Sequence, residues 1–314
     1  MMATPTGPAH RAGGGVVAQV DWRDGDGGTE SDACGRAFGT GALRGQQHEP
    51  GSSRDVSGTL KERLRAGACF GTFLKIPRCE VVDVLALAGY DFVICDMEHA
   101  QISEVEARQV IQASVANEMD VVVRLPDPTQ GIVNRLIEAG ASGIQMPRLR
   151  DVSEAVELRR QVEFPPTGRR SVSTANRAGA YGHLPLSAYL DGSQSGVLVV
   201  GQLETREGDR PFDPVLEPLD VGFIGPADLS VDYGAVGRPD DPSLLAHIEA
   251  IELAAERTRT IMGTFVTDAA TAKVALEAGY RYIAVGSDLS RMAARERDLV
   301  SDLKTSGKRE VADV

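Results

Sequence analysis

The sequence predicts an α/β fold, a (β/α)8 TIM barrel, on three observations. From Leu60 onward, eight short runs rich in apolar and β-branched residues alternate with helical stretches. The runs are almost continuously apolar, as strands covered on both faces are. One joint also recurs. Ala88-Gly89-Tyr90-Asp91-Phe92-Val93-Ile94, Ala139-Gly140-Ala141-Ser142-Gly143-Ile144 and Ala278-Gly279-Tyr280-Arg281-Tyr282-Ile283-Ala284 each end a helix, turn at glycine and begin a strand. Such units build a parallel sheet with helices outside, and eight of them close a barrel. An open doubly wound sheet is the competing architecture. No Gly-rich nucleotide fingerprint follows the first strand, and Gly71 alone is too little for one.

The strands are read, in order, at Cys69–Leu74, Phe92–Asp96, Val121–Arg124, Gly143–Met146, Val197–Leu203, Val221–Ile224, Ile261–Phe265 and Tyr282–Val285. Helices are read at Val81–Ala88, Glu104–Asn117, Gly131–Ala139, Glu154–Gln161, Ser243–Thr258 and Ala269–Ala278. Ser103 and Glu106 have the spacing of a capping box. Gly89, Gly140 and Gly279 fall just past helix ends, where a left-handed residue is wanted.

Residues 1–57 are read as a low-complexity, disordered tail ahead of a catalytic barrel spanning 58–314. The tail holds 12 of the 34 glycines and lacks any sustained period of strand or helix. It cannot bury enough apolar surface to offset its ordering entropy. It is either a regulatory or targeting extension or a solvated leader. No window approaches a spanning helix, and no secretion signal is read at the start, so a cytoplasmic location is expected. A net charge of −12 argues against nucleic acid as partner, because phosphate backbones need a basic surface. Cys34, Cys69, Cys79 and Cys95 contain no C-x-x-C pair and read as reduced thiols, neither zinc ligands nor a disulfide framework.

In such a barrel, chemistry sits at the carboxyl ends of the strands. The fifth and sixth strands end in Gln202-Leu203-Glu204 and Gly225-Pro226-Ala227-Asp228. Two carboxylates on neighbouring strand ends can hold one hard divalent cation and leave positions for water and substrate. Each alone could instead be an ordinary helix-start carboxylate. The second strand ends in Asp96-Met97-Glu98-His99. His99 is the leading acid/base, with Asp96 placed to orient its ring. Arg124, ending the third strand, is either a structural ion pair or the group that meets a carboxylate or developing enolate.

Gln202 and the backbone amides of Gly225, Pro226 and Ala227 are read as substrate-binding groups. Glu98, Arg206 and Glu207 are read as supporting rim residues. Lys75, near the end of the first strand, raises a Schiff-base alternative. Nothing in Leu74-Lys75-Ile76-Pro77 marks a desolvated pocket, so it is read as solvated. The long connection from Phe164 to Ser195 is read as a lid or a surface excursion. Arg170, Arg177 and Tyr181 are its candidates for closing over an anionic ligand.

These pieces resemble the HpcH/HpaI aldolase family. The matching segments include Asp96-Met97-Glu98-His99-Ala100, Val122-Val123-Arg124, Arg177-Ala178-x-x-Tyr181-Gly182, Gln202-Leu203-Glu204-Thr205-Arg206-Glu207-Gly208, Ile224-Gly225-Pro226-Ala227-Asp228-Leu229-Ser230 and Ala284-Val285-Gly286-x-Asp288. The resemblance implies a class II aldolase acting on pyruvate-type donors and an aldehyde. It implies Glu204 and Asp228 as Mg2+, Mn2+ or Co2+ ligands, Arg124 at the enolate and His99 as acid/base with Asp96. It further implies a homohexamer built as a trimer of dimers. An oxaloacetate-type decarboxylase or a macrophomate-synthase-like enzyme would use the same barrel and metal pair. A CoA-ester lyase would want a basic patch for the nucleotide, and none is apparent. A non-catalytic barrel that binds a 2-oxo acid is the rival from another class.

Overall fold

A computed structural model describes residues 58–309. The expected tail at 1–57, Cys34 included, lies outside the described residues. Eight parallel strands close a barrel in sequence order: β1 Cys69–Leu74, β2 Phe92–Asp96, β3 Asp120–Arg124, β4 Gly143–Met146, β5 Leu198–Leu203, β6 Val221–Ile224, β7 Ile261–Val266 and β8 Tyr282–Ser287. Each expected strand is present to within two residues at either end. The expected helices are α2 Cys79–Leu87, α3 Glu104–Ala116, α4 Gln130–Ala139, α5 Val152–Val162, α9 Pro242–Thr258 and α10 Ala269–Glu277.

Four helices escaped the sequence reading: α1 Leu60–Ala66, α6 Leu186–Gly196, α7 Asp213–Leu216 and α11 Asp288–Arg309, while α8 Pro226–Asp232 is the helix expected to open after Gly225. Two of the four are seven residues or fewer, too short to show a helical period. α6 carries two glycines, which weaken its local signal. Of the expected caps, the Ser103–Glu106 box is formed. Gly140 ends α4 at φ 113°, where an L side chain would be strained.

The period of two along each strand sorts the core. Phe92, Ile94, Val122, Val200, Phe223 and Tyr282 point into the barrel, with the Phe92 ring stacked 4.4 Å from that of Tyr282. Val93, Cys95, Val121, Val123, Ile144 and Val199 point outward under the helices. Each such fully buried side chain contributes roughly 1.5–3 kcal/mol. α1 closes the amino-terminal end: Leu60 and Leu64 join the interior cluster, and Arg63 pairs with Asp120 at 2.6 Å. Among the described residues, no helix is long and apolar enough to cross a membrane. Cys69 and Cys95 are free and buried, as expected. Burial pushes the Cys95 thiol up to about 12.

Candidate active site

The inward positions continue past the hydrophobic layer into a polar mouth. On β1 they run Cys69, Gly71, Phe73 and then Lys75; on β2, Phe92, Ile94, Asp96; on β3, Val122 and Arg124; on β5, Leu198, Val200, Gln202 and then Glu204. The mouth opens on a cavity of about 250 Å3. Phe73, Phe223 and Phe265 form its apolar wall, while Lys75, His99, Arg124, Gln202, Glu204 and Asp228 supply its polar groups.

Asp96 is the hub on one side. It is fully buried. Its Oδ1 accepts from Arg124 Nε at 2.9 Å, with Arg124 Nη2 at 2.8 Å, and from the backbone N–H groups of Glu98 and His99. Its Oδ2 accepts from Lys75 Nζ at 2.7 Å. Burial by itself would raise this carboxyl. The hydrogen bond and charge of Arg124, then Lys75 and the His99 amide, overcome it and hold Asp96 at about 2. Arg124 Nη1 lies 3.1 Å from Glu98 Oε2 and 3.5 Å from Gln202 Oε1, and the guanidinium stands over the Phe73 ring at 4.6 Å.

Glu204 and Asp228 form the other side. Glu204 is 3% exposed. Its Oε1 accepts from the Arg148 backbone at 2.8 Å and its Oε2 from Gln202 Nε2 at 2.7 Å. Burial, and then the charge of Asp228, push it up to about 7. Gln202 is fixed in turn by Gln145, whose Nε2 donates to its Oε1 at 2.7 Å, and Gln145 Oε1 accepts from Tyr282. A hydrogen-bonded chain thus crosses the barrel floor from Tyr282 to Glu204. Asp228 stands in the first turn of α8 beside this carboxylate.

The pair fits a hard divalent cation. The two carboxyl groups repel one another, the donors are all oxygen, and each Glu204 oxygen with its single hydrogen bond keeps acceptor capacity. Among the described residues, no group of three or more His, Cys, Asp or Glu side chains is gathered to hold a metal. A cation on two carboxylates must therefore complete its coordination with water or substrate. Gly225 is what allows the approach: a Cβ built there would fall 2.2 Å from Glu204 Oε2.

Several expectations need correction. Asp96 does not orient the His99 ring: its bond is to the His99 backbone, and its oxygens are taken by Arg124 and Lys75. The ring is instead 55% exposed at the mouth, with Nε2 3.6 Å from Glu98 Oε2. Arg177 does not reach the cavity. It lies beside Gly140, and its neighbour Ala178 donates to the Glu138 carbonyl, at the end of the barrel where strands begin.

The same holds for the rest of the supposed lid. Arg170 is buried against the Phe164 ring and Tyr189, and Tyr181 is 68% exposed. Among the described residues of 164–195, none lines the cavity. The chain there packs against the ends of α4 and α5 because α6 must return it to the start of β5. Arg206 and Glu207 lie outside the cavity too, with the Arg206 amide bonded to Asp232. Gly225, Pro226 and Ala227 line it as expected, but proline has no N–H to offer. Lys75 is not solvated: it is ion-paired at the mouth. The signal that could have found it is the strand period, which puts residue 75 on the inward face after 69, 71 and 73.

A family model described as HpcH/HpaI aldolase/citrate lyase matches residues 70–294. The chain is 32% identical over 244 residues to a 4-hydroxy-2-oxo-heptane-1,7-dioate aldolase of Escherichia coli, covering 76% of this chain and 92% of that relative. It is 28% identical over 255 residues to a hydroxypyruvate/pyruvate aldolase of Paraburkholderia phytofirmans, covering 78% and 97%. Among solved structures, an HpcH/HpaI aldolase from Desulfitobacterium hafniense matches with a TM-score of 0.74 at 26% identity, over 79% of this chain and 97% of that one.

Proposed function

The chain belongs to the HpcH/HpaI aldolase/citrate lyase family, and on that premise we propose that it is a class II aldolase. This is a metal-dependent carbon–carbon lyase that makes or breaks the bond between the enolate of pyruvate, or a similar 2-oxo acid, and an aldehyde. The observation that carries the reading is the convergence of two charged sets on one cavity. Glu204 and Asp228 line it together with Arg124, which Asp96 holds, and Gln202 touches both Arg124 and Glu204.

A divalent cation (Mg2+, Mn2+ or Co2+) held by Glu204 and Asp228 would supply Lewis acidity to the carboxylate and keto oxygens of the 2-oxo acid. Arg124 donates hydrogen bonds to the keto oxygen as it gains enolate charge. The Ala227 amide and the Gly225 backbone receive the substrate carboxylate, while Gln202 keeps Glu204 oriented. In the cleavage direction His99 accepts the proton of the C4 hydroxyl. The C3–C4 bond then breaks, its electron pair passes into the enolate, and the aldehyde departs. Phe73, Phe223 and Phe265 limit water at the carbanion. The enolate takes a proton from solvent at C3 to give the 2-oxo acid, and His99 returns its own proton to solvent, to which it is open.

We extend the proposal to a homo-oligomer, a hexamer built as a trimer of dimers. It is supported by an exposed apolar stripe on α11 made by Leu289, Met292, Leu299, Val300 and Leu303. The cytoplasm is the proposed compartment, in keeping with the free thiols of Cys69, Cys79 and Cys95.

The test uses full-length protein stripped with EDTA and reloaded with each cation. Exchange of the pyruvate methyl protons with solvent deuterium and aldehyde-dependent bond formation should both return with metal. Full activity after EDTA removes the metal from the mechanism. CO2 release from oxaloacetate with no aldehyde chemistry makes it a decarboxylase, and no exchange at all makes it a binder.

A further inference from the structure

Lys75 is held at both ends. Its backbone N–H donates to both carboxylate oxygens of Asp288, at 3.0 Å each, and the Ile76 N–H adds a 2.8 Å bond to Asp288 Oδ2. Asp288 is itself 9% exposed at the start of α11. From that anchored backbone the side chain crosses to β2, where Nζ meets Asp96 Oδ2 at 2.7 Å. Among the described residues, Lys75 is the one donor to that oxygen. Arg124 and two backbone amides all use Oδ1.

This division of labour at Asp96 has a consequence for Arg124. A guanidinium and a carboxylate prefer to meet through two parallel hydrogen bonds, one to each oxygen. Here that closure is not made, because Oδ2 is drawn off by the ammonium. Both Arg124 Nε and Nη2 share Oδ1, and Nη1 is left directed toward Glu98 and toward Gln202 Oε1, whose side chain lines the cavity. Without the ammonium, Oδ2 would be a buried acceptor with no donor. The carboxylate would recover a partner by turning both oxygens on the guanidinium, which would pull the fork away from the cavity. The cluster of Lys75, Arg124, Asp96 and Glu98 would also lose its balance of two cations and two anions.

We propose that Lys75 is a positioning residue for Arg124: by holding Asp96 Oδ2 it keeps the arginine fork aimed at the substrate oxygen that becomes the enolate. The proposal rests on the reading of Arg124 given above. It assigns no covalent role to Lys75.

The experiment measures metal-dependent exchange of the pyruvate methyl protons in wild type, K75M and K75C. The K75C protein is taken before and after alkylation with 2-bromoethylamine, which rebuilds an ammonium of nearly lysine length. Wild type treated in the same way controls for the exposed Cys79. Binding of oxalate, a planar mimic of the enolate, is followed by calorimetry together with Mn2+ affinity and melting temperature. Loss of a positioning partner is expected to lower the exchange kcat about 10- to 100-fold. Oxalate should weaken in parallel, while the pyruvate KM and Mn2+ affinity stay within about threefold, and alkylation of K75C should restore both losses.

Exchange and oxalate binding in K75M at wild-type level overturn the proposal, as does K75C that gains nothing on alkylation. If K75M does not fold, the K75C pair decides the matter within one polypeptide. Wild-type protein that shows no metal-dependent exchange overturns the functional reading and this proposal with it. Wild-type exchange with unaffected variants overturns this proposal alone.

Discussion

Asp96 and Arg124 occupy paired positions on β2 and β3, and their side chains meet inside the barrel with Oδ1 2.9 Å from Nε. Arg124 is 7% exposed and Asp96 not at all. An ion pair this deep is costly to break from one side, because the remaining charge stays buried.

R124A should therefore do two things at once. Stability should fall by about 3 kcal/mol, the lower end of what breaking a buried pair costs, since Lys75 still serves Asp96. Methyl-proton exchange should fall about 100- to 1000-fold, the usual cost of losing a donor to a developing oxyanion. R124K keeps the charge but not the fork, and should recover most of the stability and little of the rate. Denaturant titrations and exchange kinetics on the same samples check this. Wild-type rates in R124A would remove the arginine from the chemistry.

Glu204 links metal to pH. In the folded chain it sits at about 7, against an ordinary 4.5, because it is desolvated and faces Asp228. Below about pH 4.5 it is protonated in both states and costs nothing. As pH rises from there through 7, the unfolded chain ionises first, so the metal-free fold loses up to about 3 kcal/mol. E204Q cannot ionise and should escape that loss. Glu252, also raised to about 7, adds a slope of the same sign in both proteins, so it cancels in their difference. The difference in melting temperature should grow in favour of E204Q up to about pH 7 and shrink when wild type receives Mn2+. A pH-independent difference would count against the assignment.

His247 imposes the opposite slope in acid. It is buried, with Nδ1 2.8 Å from the Tyr233 hydroxyl and 2.6 Å from Arg210 Nη2. Burial, then the charge of Arg210, lower it to about 4, with Asp232 opposing them. The unfolded chain takes up a proton near pH 6.5 and the folded chain resists until about 4. Stability therefore falls as pH drops through that window, by up to about 3 kcal/mol. H247Q keeps a polar partner for Arg210 and Tyr233 but cannot be charged, so its urea midpoint should be less sensitive between pH 7 and 4.5.

Gly225 should tolerate no side chain. A β-carbon there would fall 2.2 Å from Glu204 Oε2 and 3.1 Å from Glu204 Cβ. Its φ of −93° is open to any residue, so the conflict is with the carboxylate and not with the backbone. G225A should fold with a lowered melting temperature, since the displaced carboxylate gives up its bonds from Arg148 and Gln202, and should bind Mn2+ at least about 10-fold more weakly. Unchanged affinity in calorimetry would show that Glu204 is not a ligand.

The legible part of this protein was local. The apolar runs marked every strand, because a parallel barrel strand is covered on both faces and its neighbours in sequence need no help to show it. Strand ends then led to Asp96, Arg124, Gln202, Glu204 and Asp228, all of which the fold brings to one mouth. His99 also arrives there, although its ring has Glu98 and not Asp96 beside it. Lys75 was misread because a lysine among apolar residues carries no local sign of its partner, which lies on the next strand. The 164–195 connection left a lid and a surface excursion both open, and the structure takes the second, because length and polarity do not say which end of a barrel a segment packs against.

Sequence alone thus determined the alternation of strand and helix and the residue types at each strand end, since these depend on apolar runs and on helix stops. Only the closed barrel decided which of those side chains meet. Lys75 reaches Asp96 across 21 residues and Asp288 across 213. Those pairings exist because closure brings β8 back to β1 and excludes water from the floor, so that each buried charge must find its partner within the ring.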